Sequence, residues 1–153
     1  MNVEAAADRQ GAGEERLILD AVDRFLERDV RPVVHALEAA DTYPTAMVEK
    51  LQALGLFGAT IAPEFGGLGL LAVTYARIVE RMSAVWMSVP GFFNSHLIMA
   101  AAVERYGTDE QKHRFLPRFA SGALRGGIAL TEPDCGSDLQ AIRTHARRDG
   151  DLY

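Results

Sequence analysis

The chain has 153 residues, 48% hydrophobic and 24% charged, with a formal net charge of −5. This is the mix of a folded domain rather than a disordered chain, and the acidic balance argues against nucleic-acid or anionic-membrane partners. The single cysteine, Cys135, excludes an internal disulfide and a multi-cysteine metal site. No apolar run approaches the roughly 20 residues of a membrane span, and the acid-bearing start lacks the apolar stretch of a secretory leader, so the expected location is cytoplasmic.

Residues 1–13 are small and polar and read as a flexible N-terminus. Leu17, Ile18, Ala21, Val22, Phe25 and Leu26 then recur at helical spacing, which predicts an amphipathic helix. Pro32 interrupts it, because proline brings no amide hydrogen and clashes with the preceding turn. A second short helix follows through Val33, Val34, Leu37 and Ala40. The next stretch carries its own punctuation, with Pro44 suited to a first helical position and Gly55 to the position past the end. "LFGATIAPEFGGLGL" is then a tight loop with glycines at positive φ.

A further helix is expected over about 71–87, with Tyr75, Ile78, Val79, Met82, Val85 and Trp86 as its apolar stripe. The helix after it, about 92–106, is apolar nearly all round and is expected to be central and buried. Gly107 ends it, and Thr108 to Gln111 form a capping box that opens a helix to about Ala120. After Ser121-Gly122 the pattern becomes strand-like: "GGIALTEP", the alternating "AIRTHARR", and a hairpin signal at Asp149-Gly150. The expected fold is therefore mostly α, a helical bundle of about five to six helices over 14–122. The opening strands of a β domain follow over 123–153, broken off before the returning strand is complete.

The loop "TEPDCGSD" is the leading candidate site. Thr131 and Ser137 offer hydroxyls, Gly136 a permissive backbone, and the successive amides can point at an anion. A ligand-free turn between two strands uses the same residue types. "PEFGGLG" lacks the Lys-Ser/Thr of a Walker loop and the strand–turn–helix context of a dinucleotide fold, and reads as a tight connection. His96 sits on the most apolar helix beside Asn94 and Ser95, and reads as a buried, hydrogen-bonded histidine. Glu64 and Glu132 have no evident partner acid, and Cys135 has no paired histidine. No metal site is expected.

"ALTEPDCGSDLQAIRTHARRDGDLY" resembles the first signature of the acyl-CoA dehydrogenases. "LQALGLFGATIAPEFGGLGL" and "YGTDEQKHRFLPRFASG" resemble that family's N-terminal helical domain, in the same order. The resemblance implies an FAD enzyme that removes the α proton of an acyl-CoA thioester and passes the β hydride to the flavin. The electrons then go to an electron-transfer flavoprotein. It places Ile128, Ala129, Leu130 and Thr131 along the isoalloxazine, Gly136 and Ser137 at the pyrophosphate, Ser137 also at the substrate's CoA part, and Ser95 near the acyl pocket. The family's commoner loop has Gly and Ala where Asp134 and Cys135 stand. The second flavin strand and the C-terminal bundle carrying the catalytic glutamate have no matching positions, so no catalytic residue is assigned. The chain alone is expected to be an inactive fragment that holds FAD poorly, and the complete enzyme a homo-oligomer. An acyl-CoA oxidase or flavin monooxygenase of the same fold remains open, as does a non-enzymatic helical module or split subunit.

Overall fold

A computed structural model describes the backbone of residues 3–152 and the side chains of residues 13–152. Six α-helices follow one another: α1 (Val3–Phe25), α2 (Val34–Ala39), α3 (Thr45–Ala53), α4 (Ala72–Val85), α5 (Ser88–Tyr106) and α6 (Asp109–Ala120). The backbone of α1 starts well before residue 14, where the composition suggested a flexible segment. The run Ala5-Ala6-Ala7 explains this, since alanine is the best helix former.

The buried face of α1 also differs from the expected stripe. Leu19, Val22, Phe25 and Leu26 are in the core, whereas Leu17 is exposed. Leu17 lies two residues from Leu19, about 200° around a helix of 3.6 residues per turn, so both cannot face the same neighbour. The helical path continues past α1 through a π turn, Leu26–Val30, closed by Arg31 N–H donating to Leu26 O at 2.9 Å. Pro32 then ends it.

α1 packs on α4, α4 on α5 and α5 on α6. Arg77 pairs with Glu15 at 2.5 Å and Arg81 with Asp23, both joining α4 to α1. Between α3 and α4 the glycine-rich loop folds into two 3₁₀ turns, Leu56–Gly58 and Pro63–Phe65. Gly66 and Gly69 take φ of 82° and 60°, the left-handed region expected of this loop. The first turn wedges Leu56 and Phe57 between α3, α5 and α6, where both are fully buried. Each such side chain contributes about 1.5–3 kcal/mol by leaving water.

The capping box opens α6 as expected. The Gln111 amide donates to Thr108 Oγ1 at 3.2 Å, and the Thr108 amide to Gln111 Oε1 at 2.9 Å. α5 starts earlier than expected, taking Pro90 into its first turn, where a missing amide hydrogen costs nothing. It is buried on one face only. Val89, Phe93, His96, Leu97 and Ala100 face the core, while Ile98, Ala101 and Ala102 are exposed.

The largest difference lies after Gly122. The expected strands do not pair into a ladder among the described residues. From Arg125 the backbone forms no regular element until the short 3₁₀ turn Leu139–Ala141, and its only β-type pairs among the described residues are the isolated bridges Glu132–Cys135 and Asp149–Leu152. The hairpin turn at Asp149-Gly150 does form, with Gly150 at φ 62°. Alternating residues give strand character, but a strand exists only where a neighbouring strand accepts its hydrogen bonds.

Candidate functional site

His96 lies where the helical domain hands over to the irregular segment that follows. It is 2% exposed on α5. Its Nε2 lies 3.1 Å from Phe57 O and 3.2 Å from Phe119 O, and its Nδ1 lies 3.4 Å from the Gly126 amide nitrogen. Two carbonyls need a donor and one amide needs an acceptor, so the ring is neutral with its proton on Nε2. Burial pushes its pKa below the usual histidine value, and the charge of Arg125 adds to this against the two carbonyls. The expectation of a buried, satisfied histidine is met. Its ring also stands edge-on to Phe57 and Phe119.

From this anchor the chain crosses α5. A β-carbon on Gly126 would collide with the sulfur of Met99, and one on Gly127 would lie 3.6 Å from Cβ of Ser95. The backbone thus passes close to Met99 at Gly126, while the Gly127 contact is an ordinary van der Waals distance. Ser95 is exposed beside them, and Asn94 next to it accepts a hydrogen bond from the Tyr75 hydroxyl. Burial raises the Tyr75 pKa, which keeps that hydroxyl a donor.

Ile128, Ala129, Leu130 and Thr131 follow, all exposed. Among the described residues their amides and carbonyls form no backbone hydrogen bond. The "TEPDCGSD" loop then turns sharply. Glu132 N–H donates to Cys135 O at 2.9 Å, and Cys135 N–H to Glu132 O at 3.2 Å. Cys135 is thereby buried at 7% exposure, while Gly136 and Ser137 stay exposed. A β-carbon on Gly136 would lie 4.0 Å from Cγ2 of Thr131, so the turn brings Gly136 back to Thr131. Asp138 Oδ1 accepts the Gln140 amide at 3.2 Å and closes the loop's far side.

The residue that sequence reading passed over is Glu132. Its Oε2 accepts the Arg143 amide at 2.9 Å, and its Oε1 accepts the Thr144 amide at 2.7 Å and the Thr144 hydroxyl. These donors hold the carboxyl below the usual carboxylate range, the Thr144 hydroxyl contributing most. No short-range motif announces partners 11 and 12 residues away. Two grooves of about 280 and 380 Å³ lie elsewhere, sharing Asp29 and Lys50, and no candidate site residue lines either. Among the described residues no three His, Cys, Asp or Glu side chains gather as a metal site, and no helix is long and apolar enough to cross a membrane.

A family model described as "Acyl-CoA dehydrogenase, N-terminal domain" matches residues 12–123. The chain belongs to the acyl-CoA dehydrogenase family. It is 38% identical over 145 residues to the (2S)-methylsuccinyl-CoA dehydrogenase of Cereibacter sphaeroides, covering 94% of this chain and 26% of that one. A glutaryl-CoA dehydrogenase from Mycobacterium smegmatis, solved in complex with FADH2, superposes with a TM-score of 0.80 at 33% identity. That match covers 90% of this chain and 36% of the other. A chain in the solved structure of the electron transferring flavoprotein of Acidaminococcus fermentans gives a TM-score of 0.82 at 30% identity, again covering 90% and 36%. The chain thus spans between a quarter and two-fifths of the length of these relatives. The matched range ends one residue beyond Gly122.

Proposed function

We propose that this chain forms the helical wall and the flavin-facing edge of an FAD-dependent acyl-CoA dehydrogenase. The observation that carries the proposal is the open main chain of Ile128–Thr131, which follows the Gly126 amide held by His96 on α5 and precedes the exposed Ser137. Unpaired donors and acceptors in a row fit the polar rim of a flat heteroaromatic ring, and backbone amides at a turn suit a pyrophosphate. FAD, when bound, accepts the hydride from the β carbon of the acyl thioester.

The chain's own groups bind and orient. The main chain of Ile128, Ala129 and Leu130 and the Thr131 hydroxyl meet the ring edge; Gly136 and Ser137 hold the phosphates, with Ser137 also toward the CoA part of the substrate. Ser95, on the exposed face of α5 beside Gly127, lines the approach of the acyl chain. The bulky face of α4 and α5 excludes water behind it. Transfer of electrons to an electron-transfer flavoprotein and self-association of the complete enzyme belong to the same proposal, and both are supported by the family alone.

The test is a titration of the nitrogen-15-labelled chain with FAD, read by amide shifts. Shifts centred on Ile128–Ser137, reduced by Thr131→Ala and by Ser137→Ala, are the expected result. With FAD raised to millimolar concentration to populate a weak complex, shifts confined to other elements, or none, refute the assignment.

A further inference from the structure

The loop that presents Thr131 and Ser137 is mostly held by short-range bonds. Ala141 N–H donates to Asp138 O at 3.1 Å and Ile142 N–H to Leu139 O at 3.4 Å, each within a single turn. The pair Arg143–Asp134 is 3.9 Å apart with both side chains about 80% exposed, and such pairs contribute little. One side chain ties the loop's two ends together. Glu132, directly after Thr131, accepts three hydrogen bonds from Arg143 and Thr144 through both of its oxygens.

We propose that Glu132 is the positioning residue of this site: its carboxylate closes the 132–144 loop and so presents Thr131, Gly136 and Ser137 to the pyrophosphate and ring edge of a flavin dinucleotide. The inference rests on the assignment of Ile128–Ser137 to FAD. The physical ground is preorganisation. A loop already fixed in its bound shape does not lose further conformational freedom on binding. Hydrogen bonds to an ionised acceptor are about twice as strong as neutral ones, which makes a carboxylate a better clasp than an amide at this position. The three donors also occupy both oxygens, which lessens the repulsion an unsatisfied carboxylate would exert on a phosphate at Gly136 and Ser137, four and five residues on.

The substitutions grade the effect. Glu132→Gln keeps one acceptor oxygen for Thr144 but turns an N–H donor toward the Arg143 amide. Glu132→Ala removes these three bonds and the weak contact from the Cys135 thiol at 3.9 Å. Thr144→Val removes the hydroxyl contact and keeps both amides. Each labelled variant of the full chain is titrated with FAD, with amide hydrogen exchange at Arg143 and Thr144 and the thermal midpoint measured alongside. The expected result is FAD binding weakened about tenfold in Glu132→Ala, less in Glu132→Gln and least in Thr144→Val. Exchange at Arg143 and Thr144 rises in the same order, with the midpoint unchanged.

Tight FAD binding by Glu132→Ala, when the native chain also binds at Ile128–Ser137, overturns the positioning role and leaves the site assignment standing. A native chain with no FAD shifts in that segment overturns the assignment and this inference with it. A fall in the midpoint that tracks the loss of binding across all three variants makes Glu132 a fold-stabilising residue and overturns the proposal as well.

Discussion

His96→Phe separates the hydrogen-bonding role of the central histidine from its packing. The phenyl ring keeps the edge-on contacts to Phe57 and Phe119, whose centroids lie 5.4 and 5.5 Å from the imidazole. It removes the one N–H shared by Phe57 O and Phe119 O. Leaving a buried polar group unsatisfied costs about 1–3 kcal/mol. At roughly 2–4 °C per kcal/mol for a domain of this size, a loss of about 2 kcal/mol lowers the midpoint by about 4–8 °C at pH 7.5. Circular dichroism during thermal and urea unfolding measures both quantities.

The same variant carries a pH signature. Folding depresses the His96 pKa, so in the native protein its stabilising contribution is complete above the unfolded value of about 6.5. It is lost progressively as pH falls from there toward the depressed folded value, because the unfolded chain binds the proton that the folded one excludes. Phenylalanine does not titrate. The stability gap between native and His96→Phe therefore narrows below pH 6.5. A midpoint equal to the native one at pH 7.5, or a gap that stays constant from pH 7.5 to 5, refutes the assignment of a neutral, doubly accepting imidazole environment.

Three further outcomes follow from single contacts. Thr108→Ala removes the side-chain acceptor of the capping box and costs about 1 kcal/mol in urea unfolding, with Gln111→Ala costing less. Gly58→Ala places a β-carbon 2.9 Å from the Ala120 carbonyl oxygen and 3.1 Å from its Cα, backbone that cannot step aside, and costs about 1–3 kcal/mol by overpacking. The chain supplied with FAD and an acyl-CoA does not reduce an acceptor dye. Glu132 is held by the Arg143 and Thr144 amides, no catalytic base is assigned to this chain, and α-proton abstraction needs a base within reach of the α carbon. Turnover above a no-protein control overturns that reasoning.

What could be read from the sequence was what lies close in sequence. The capping box needs only residues three apart, and it forms as expected. Pro32 and Gly55 punctuate their helices for reasons local to the backbone. The partners of His96 come from positions 39, 23 and 30 residues away, so its burial was legible from its apolar helix while its bonding was not. Glu132 looked idle because its donors lie 11 and 12 residues on. Hydrophobic counting also overstated the burial of α5. Ile98, Ala101 and Ala102 fit an interior face by composition, but composition does not say which side a neighbour covers. The strand signal after Gly126 failed for a related reason: alternation supplies the residues of a strand and not the pairing partner.

Two long-range anchors hold the segment proposed to face the flavin. His96 fixes where the segment leaves the helices, through the Gly126 amide, and Glu132 fixes where the loop returns, through Arg143 and Thr144. Thr131 is between them in the chain, five residues after the first anchor and one before the second. Ile128–Leu130 have no backbone partners among the described residues. The coupling gives a last expectation. His96→Phe loosens the entry and raises amide exchange from Gly126 to Leu130 with little effect at Arg143 and Thr144, whereas Glu132→Ala does the reverse. If each variant loosens both ends equally, the segment melts as one unit and the two anchors are not independent, since separate sites with no shared partners perturb local opening separately.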